Sequence, residues 1–322
     1  VVGIGNAIVD IISTVDDDFL KSNNFQKGSM NLINLEESKK ILTQCKIIKQ
    51  VSGGSAANTI VSLANLGNKV EFIGRVKDDS FGNFFSKDIK KSGTQFNQKN
   101  VESKASSAHS IVLITPDAQR TMCTYLGASV EFSPSDISAN SIKNSKFLYL
   151  EGYLWDSDLA KKAFIQAAKL AKSFDTKIIL TLSDSFCVER HRESFIHLIK
   201  DYIDILFCNK GELISLFKGK DIEDCKNKIT SICDLSVITL GDKGSLIVDK
   251  NETKVIKAFC SGEVIDTTGA GDIYAGGFIH GLINKYSLSE SGNIGSLCAG
   301  HIVTQIGSRS QINLSTLIER KC

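Results

Sequence analysis

The second half of the chain alternates between short apolar runs and longer amphipathic stretches. The apolar runs predict strands that are covered on both faces, because such strands lack a polar side. They are "FLYLEG" (147–152), "KIILTLS" (177–183), "DILFC" (204–208), "SVITLG" (236–241) and "GSLIVD" (244–249). The helix-like stretches lie at about 157–173, 188–200, 221–232, 272–286 and 289–304. This alternation predicts a three-layer α/β/α fold with a mostly parallel central sheet.

The first half of the chain is more polar and less regular. Its predicted elements are strands at 1–5 and 70–74 and helices at about 36–48, 55–66 and 80–91. Within 105–127, two β-branched runs flank "TPDAQR", whose proline and aspartate favour a turn, so a β-hairpin is predicted. We therefore expect a single domain over 1–322. Insertions at about 11–34 and 94–127 should form a small β-rich lid over the carboxyl edge of the sheet, where such folds bind ligands.

Composition and charge exclude several classes of function. The 322 residues carry a net charge of +2, with scattered lysines and arginines, so no nucleic-acid-binding face is expected. No run approaches the roughly 18 apolar residues of a membrane span, so no membrane association is expected. The nine cysteines have no C-x-x-C spacing, which indicates reduced thiols in a cytoplasmic protein.

The stretch "DTTGAGD" (266–272) carries the clearest candidate chemistry. The apolar spacing after Asp272 predicts a helix, so Gly269, Ala270 and Gly271 lie at its start. Backbone N–H groups there lack partners, and small side chains let an anion approach them. Phosphoryl transfer needs such an anion hole together with a carboxylate that deprotonates a hydroxyl. The same residues also fit a tight turn in which Asp272 caps the helix.

Two other nucleotide-binding patterns are absent from the chain. There is no G-x-x-x-x-G-K-[ST], which argues against a P-loop kinase. "GIGNAI" (3–8) lacks the third glycine of the dinucleotide fingerprint, which argues against a Rossmann dehydrogenase.

The stretch "DTTGAGDIYAGGFI" (266–279) resembles the second signature of the ribokinase-like, or phosphofructokinase B, family of sugar and nucleoside kinases. The family's other motifs follow in order as "GIGNAIVDI" (3–11), "GGSAANT" (53–59), "FIGRVKDDSFG" (72–82), "NKGE" (209–212) and "TLGDKGS" (239–245). Lys77 stands where the family commonly has glycine. The residue at position 60, an isoleucine, and the motifs "GNAIVDI" and "GGSAANT" resemble those of the adenosine-kinase-like branch of the family.

The resemblance implies transfer of the γ-phosphoryl group of ATP, with Mg²⁺, to a primary hydroxyl of a small sugar or ribonucleoside, by a monomer or homodimer. It implies Asp272 as catalytic base and the backbone of Gly269, Ala270 and Gly271 as anion hole. The implied acceptor-binding positions are Asn6, Asp10, Gly53, Gly54 and Asn58. The implied nucleotide and magnesium positions are Asn209, Glu212, Thr239, Gly241 and Gly244. The implied positions for a monovalent cation, K⁺, are Asp266, Thr268 and the loop "QIGSRSQ" (305–311) with Gly307, mainly through backbone oxygens.

Several interpretations stay open at the level of single residues. Asp10 also fits the start of a turn, and "NKGE" fits a capping box, in which asparagine and glutamate satisfy a helix start. Ser183 and Asp184 follow a strand and are candidates for contact with phosphate or metal. Arg120 either reaches over bound substrate or lies at a loop tip in water, and no role is assigned to Arg190 and Arg192.

Three alternatives stay open for the function as a whole. In the first, the protein is a kinase whose acceptor is adenosine specifically. In the second, it is a non-catalytic regulator that binds a nucleotide or sugar, and in the third it is a dehydrogenase. The intact "GAGD" (269–272) counts against the regulator, and the missing glycine fingerprint counts against the dehydrogenase.

Overall fold

Two β-sheets organise the chain in the computed structural model, which describes residues 1–97, 103–117, 119–259 and 261–319. The strands are β1 (Val2–Ile4), β2 (Ile8–Thr14), β3 (Met30–Leu32), β4 (Ile47–Gly53), β5 (Glu71–Ile73), β6 (Ala108–Ile114), β7 (Arg120–Tyr125), β8 (Phe147–Glu151), β9 (Lys177–Thr181), β10 (Ile205–Asn209), β11 (Leu235–Thr239), β12 (Ser245–Asp249) and β13 (Thr253–Ile256). The helices are α1 (Asp17–Ser22), α2 (Leu35–Gln44), α3 (Ser55–Asn65), α4 (Ser80–Lys91), α5 (Ala139–Lys143), α6 (Asp158–Ser173), α7 (Ser185–Tyr202), α8 (Lys210–Phe217), α9 (Ile222–Thr230), α10 (Ala270–Ile283), α11 (Leu288–Ile302) and α12 (Ser315–Glu319).

The larger sheet has the strand order β13-β12-β11-β10-β9-β8-β1-β5. In that order, the six strands β11-β10-β9-β8-β1-β5 pair in parallel. Strand β12 pairs antiparallel with both β11 and β13. One core cluster packs α6 to α9 on one face, against residues such as Leu148, and another packs α3, α4 and α10 on the opposite face, against residues such as Tyr149. The predicted α/β fold with a mostly parallel central sheet is confirmed.

The second sheet has the strand order β3-β7-β6-β2-β4. Helices α1 and α2 cover one of its faces through a small apolar cluster that includes Leu20, Ile41 and Cys123. Strands β6 and β7 are the predicted hairpin. The helix predicted at 36–48 ends at Gln44, because the chain then pairs with β2 as β4.

The second sheet begins at the edge of the larger sheet where the parallel strands end. Only residues 5–7 separate β1 from β2. Residues 98–102 and 118, which belong to the insertion predicted at 94–127, lie outside the described ranges. So do Cys260 and Cys322, two of the nine cysteines. Within those ranges, no helix is long and apolar enough to cross a membrane.

Candidate active site

Gly269, Ala270 and Gly271 form the start of α10, as the sequence predicts. Gly269 is the N-cap and has a left-handed φ of 75°. A Cβ at this position would lie 2.4 Å from the Cβ of Ser308, so both the backbone and the space favour glycine. Apart from its chain neighbours and the backbone of its own helix, no described residue has a heavy atom within 4 Å of where a Cβ of Gly271 would stand. The backbone at this helix start therefore faces open space, where an anion can approach it.

The Asp272 carboxylate is oriented by two side chains from the first turns of α3. Ser55 Oγ donates to Asp272 Oδ1 at 2.6 Å, and Asn58 Nδ2 donates to Oδ2 at 2.9 Å. Burial raises the pKa of Asp272 to about 6, although these two bonds and the charge of Arg309 oppose the rise. At neutral pH the carboxylate is therefore mostly ionised, and its position is set before any ligand binds.

Asp10 lies within strand β2 rather than at a turn, and its carboxylate faces Gly53, the last residue of β4. A Cβ on Gly53 would lie 2.1 Å from Asp10 Oδ2, so only glycine leaves room for this carboxylate. Burial raises the pKa of Asp10 to about 7; the charge of Asp272 adds to the rise, and Arg309 and Arg120 oppose it. No described residue donates a hydrogen bond to this carboxylate. Its oxygens are thus free to accept bonds from ligand hydroxyls.

Glu151, which ends β8 and is 1% exposed, is a site residue that no sequence motif indicated. Its carboxylate accepts from Asn6 Nδ2 at 2.7 Å, from the Asn6 amide at 3.2 Å and from the Ala56 amide at 2.8 Å. Burial raises the pKa of Glu151 to about 7. Glu151 therefore joins the end of β1 to the start of α3, next to the predicted acceptor positions. The available signal was a glutamate that closes an apolar run, "FLYLEG".

The loop at 305–311 joins the glycine motif at 53–59 to the one at 266–272. Ser308 and Arg309 make most of its contacts with the first motif. Ser308 Oγ donates to Asn58 Oδ1 at 3.0 Å. Arg309 Nε donates to the carbonyl of Ser52 at 3.0 Å, and Arg309 Nη1 donates to the carbonyl of Ala57 at 3.0 Å. The segment 52–58, which carries the predicted acceptor positions Gly53, Gly54 and Asn58, is thus held by this loop.

Replacing Arg309 with lysine is expected to loosen this segment, because one ammonium cannot span the carbonyls that the planar guanidinium bridges. Hydrogen bonds to charged groups contribute roughly 1.5–3 kcal/mol each, so we expect a loss of about 2–4 kcal/mol of stability and about tenfold in kcat/KM for the acceptor. Thermal unfolding and steady-state kinetics measure both quantities.

The matched control is Arg190→Lys, at a half-exposed ion pair with Asp156, where less than about 1 kcal/mol is expected. Equal effects of the two substitutions on stability and kinetics would contradict the assigned role of Arg309.

The predicted nucleotide positions gather where strands β10 and β11 end. The strand register places Asn209 beside Thr239. Asn209 and Glu212 form a capping box at the start of α8, and burial raises the pKa of Glu212 to about 7. Gly241 and Gly244 both have positive φ angles, of 65° and 88°. The capping-box interpretation is therefore correct as local structure, and contact with a nucleotide stays a prediction.

The three predicted cation positions lie together, but an arginine lies with them. Asp266 is 5% exposed and accepts from the amides of Thr268 at 2.9 Å and Gly307 at 2.6 Å. Arg120 Nη2, from the β6–β7 hairpin, lies 2.6 Å from Asp266 Oδ2. With three N–H donors around it, this carboxylate does not fit a cation ligand in the described arrangement. Arg120 therefore reaches the "DTTGAGD" loop rather than water.

The remaining open positions have structural partners. Arg190 pairs with Asp156, Arg192 Nε donates to the carbonyl of Ser215 at 2.8 Å, and Asp184 caps α7. Among the described residues, no group of three or more His, Cys, Asp or Glu side chains is arranged to hold a metal ion.

Comparison with known proteins gives consistent matches over nearly the whole chain. The model of the pfkB family of carbohydrate kinases matches residues 23–314. The 5-dehydro-2-deoxygluconokinase of Bacillus subtilis (strain 168) is 26% identical over 297 residues, covering 89% of this chain and 91% of the relative. The ribokinase of Haemophilus influenzae is 26% identical over 271 residues, covering 81% and 83%.

Two solved structures are more similar in sequence. The adenosine kinase from Sinorhizobium meliloti superposes with a TM-score of 0.94 at 39% identity, covering 100% of this chain and 98% of that one. A probable sugar kinase from Rhizobium etli CFN 42 has a TM-score of 0.93 at 39% identity, with 99% and 97% covered.

Proposed function

Since this chain belongs to the pfkB family of carbohydrate kinases, it is a phosphotransferase that acts on alcohol groups, and we propose that it transfers the γ-phosphoryl group of ATP to a primary hydroxyl of a small sugar or ribonucleoside. One observation carries this proposal. An ionised carboxylate, Asp272, is held by Ser55 and Asn58 beside the open backbone of a helix start.

In the proposed reaction, Asp272 accepts the proton of the attacking hydroxyl. The backbone of Gly269, Ala270 and Gly271 stabilises the charge of the migrating phosphoryl group, because N–H groups at a helix start point toward an anion. Asp10 accepts bonds from other hydroxyls of the acceptor, next to Asn6, Gly53, Gly54 and Asn58. These contacts orient the acceptor before transfer.

The nucleotide is proposed to bind along Asn209, Glu212, Thr239, Gly241 and Gly244. Mg²⁺ usually binds proteins through one or two carboxylates, substrate phosphates and several waters. Glu212, next to the ends of β10 and β11, fits that limited contribution. When bound, the ion would supply positive charge to the transferring phosphates, and Glu212 and Asn209 would hold it largely through water.

The second sheet is proposed as the lid of a single domain that spans 1–322. Closure of the lid excludes water, which otherwise competes with the acceptor for the phosphoryl group. The lid sheet includes β4 (Ile47–Gly53), in addition to strands within or next to the insertions predicted at 11–34 and 94–127.

An ADP-release assay tests the proposal with adenosine, inosine, ribose, fructose, 2-keto-3-deoxygluconate and 5-dehydro-2-deoxygluconate as acceptors. One acceptor should raise ADP release at least 100-fold over the rate without acceptor. An acceptor-independent rate across the whole panel would contradict the proposal.

Adenosine is the second candidate, as a specific acceptor. The solved adenosine kinase at 39% identity supports it. Cross-strand pairing also places Ile12, Val112 and Met122 one row from Asp10 on the same face of the lid. A nucleoside needs such an apolar surface for its base next to a polar one for its ribose, whereas free ribose does not. A kcat/KM for adenosine below that for ribose would exclude this candidate.

The acceptor kcat/KM is expected to fall as pH decreases, because Asp272 and Asp10 must both be ionised. Their pKa values are raised to about 6 and about 7, so the profile should be level above pH 8 and decline below 7. Below pH 6, a plot of log(kcat/KM) against pH should approach a slope of about 2, because both groups are then mostly protonated. The measurement is kcat/KM from pH 5 to 9 at saturating MgATP, with the fold checked by circular dichroism. A level profile down to pH 5 would show that neither carboxylate must be ionised.

A further inference from the structure

One ion pair joins the lid to the loop that carries the anion hole. Arg120 begins strand β7 in the lid, and its Nη2 lies 2.6 Å from Asp266 Oδ2. Its Nη1 also donates to Thr268 Oγ1 at 3.3 Å. The side chains of Arg120 and Asp266 are 13% and 1% exposed. A single guanidinium from the lid thus contacts two residues of the stretch 266–268, directly before Gly269.

The charge of Asp266 has to be balanced where it stands. A buried carboxylate without a cationic partner is costly, even when backbone amides donate to it. Two amides, of Thr268 and Gly307, donate to this carboxylate, and Arg120 adds the positive charge. Without Arg120, the same carboxylate would leave an oxygen open to a metal cation.

We propose that Arg120 supplies the positive charge at Asp266 in place of a monovalent cation, so that K⁺ is not needed to order the anion-hole loop of this chain. Arg120 is a positioning residue in this scheme and acts through Asp266. Because Arg120 stands on the lid, the same contact holds the lid against the loop at 266–271. Ordering of the loop at 266–271 is therefore coupled to lid closure. The kinetic consequences rest on the proposed kinase function, and the binding consequences do not.

The test that is independent of catalysis is thermal unfolding of the ligand-free protein. We compare 100 mM KCl with 100 mM N-methyl-D-glucamine chloride, which match in ionic strength. The wild-type Tm should differ by less than about 1 °C, since Arg120 already pairs with Asp266. In Arg120→Gln the carboxylate is exposed to the ion, so KCl should raise the Tm by about 5 °C through mass action.

Two control variants separate the ion effect from general destabilisation. The double variant Arg120→Gln/Asp266→Asn lacks the carboxylate and should lose the response to KCl. Arg75→Gln removes another buried arginine, which pairs with Asp136 and Glu131, and should lower the Tm equally in both salts. A KCl-dependent rise in the wild-type Tm would overturn the proposal. So would a folded Arg120→Gln variant that does not respond to KCl.

Kinetics give the second arm of the test. The wild-type kcat should agree within about twofold between the two salts, and the kcat of Arg120→Gln should be at least fivefold higher in KCl. A tenfold dependence of the wild type on KCl would overturn the proposal. If no acceptor supports turnover, the proposed function fails, and the unfolding data still decide the role of Arg120. If Arg120→Gln does not fold, the wild-type comparison still decides whether this chain needs K⁺, and a response to KCl overturns the proposal.

Discussion

The variant Asp272→Asn is expected to lose at least about 10³-fold in kcat, with the KM for MgATP and for the acceptor changed less than about threefold. Positioned general bases contribute roughly 10²–10⁴-fold, and an amide cannot take the proton of the attacking hydroxyl. The size of the side chain is unchanged, so the acceptor and nucleotide contacts stay in place. Steady-state kinetics at pH 8 measure the two parameters separately. The matched control is Asp158→Asn, at a carboxylate that is 90% exposed, which should behave as the wild type.

Stability shows whether this loss of activity reflects chemistry or folding. The folded-state pKa of Asp272 is raised to about 6 from 3.8, so the ionised form costs stability as pH rises through that interval. The Asn variant should therefore unfold at the same temperature as the wild type near pH 4, and at the same or a higher temperature at pH 8. Near-normal turnover in a folded Asn variant would show that another group is the base.

The variant Asp10→Asn is expected to lose about 10²–10³-fold in kcat/KM for the acceptor, with the KM for MgATP unchanged. The carboxylate can accept two hydroxyl hydrogen bonds, each worth roughly 1.5–3 kcal/mol when one partner is charged. The asparagine amide accepts through one atom only and presents N–H groups to hydroxyl protons. Competition kinetics with acceptor as the varied substrate measure the effect.

Acceptors that lack one secondary hydroxyl provide the control for Asp10. In the wild type, removal of one hydroxyl that binds Asp10 should cost about half as much binding free energy as the substitution does, and in Asp10→Asn the same removal should cost little. Equal losses in both proteins would place Asp10 away from the acceptor. At pH 8 the Asn variant should also gain a few degrees in Tm, because burial raises the pKa of Asp10 to about 7 and ionisation therefore destabilises the ligand-free fold.

Strands β8 to β11 of the central sheet were predictable because they are largely apolar on both faces and helices separate them. The β8 strand (Phe147–Glu151), for example, is buried throughout. Strand β4 gave no such signal, because five of its seven residues, Ile47 to Val51, are exposed or half-buried at a sheet edge. Pairing with β2, rather than the periodicity of its own residues, makes this segment a strand.

The candidate site was predictable where its chemistry is local. Two glycines, an alanine and an aspartate at a predicted helix start are enough to predict an anion site next to a carboxylate, and the helix start lies where it was predicted. Arg309 gave no local signal, because its loop has no periodicity and its partners, Ser52 and Ala57, are distant in sequence. The pairing of Arg120 with Asp266 also depends on how the lid meets the larger sheet, so only the folded chain shows it.

The most direct test of the central claim is a crystal structure with the acceptor, Mg²⁺ and a non-hydrolysable ATP analogue bound. We predict that the acceptor's primary hydroxyl lies about 2.6–3.2 Å from a carboxylate oxygen of Asp272. We also predict that γ-phosphate oxygens lie about 2.7–3.1 Å from backbone nitrogens of the 269–271 segment. A hydroxyl held by a different carboxylate, with the triphosphate away from the start of α10, would contradict it.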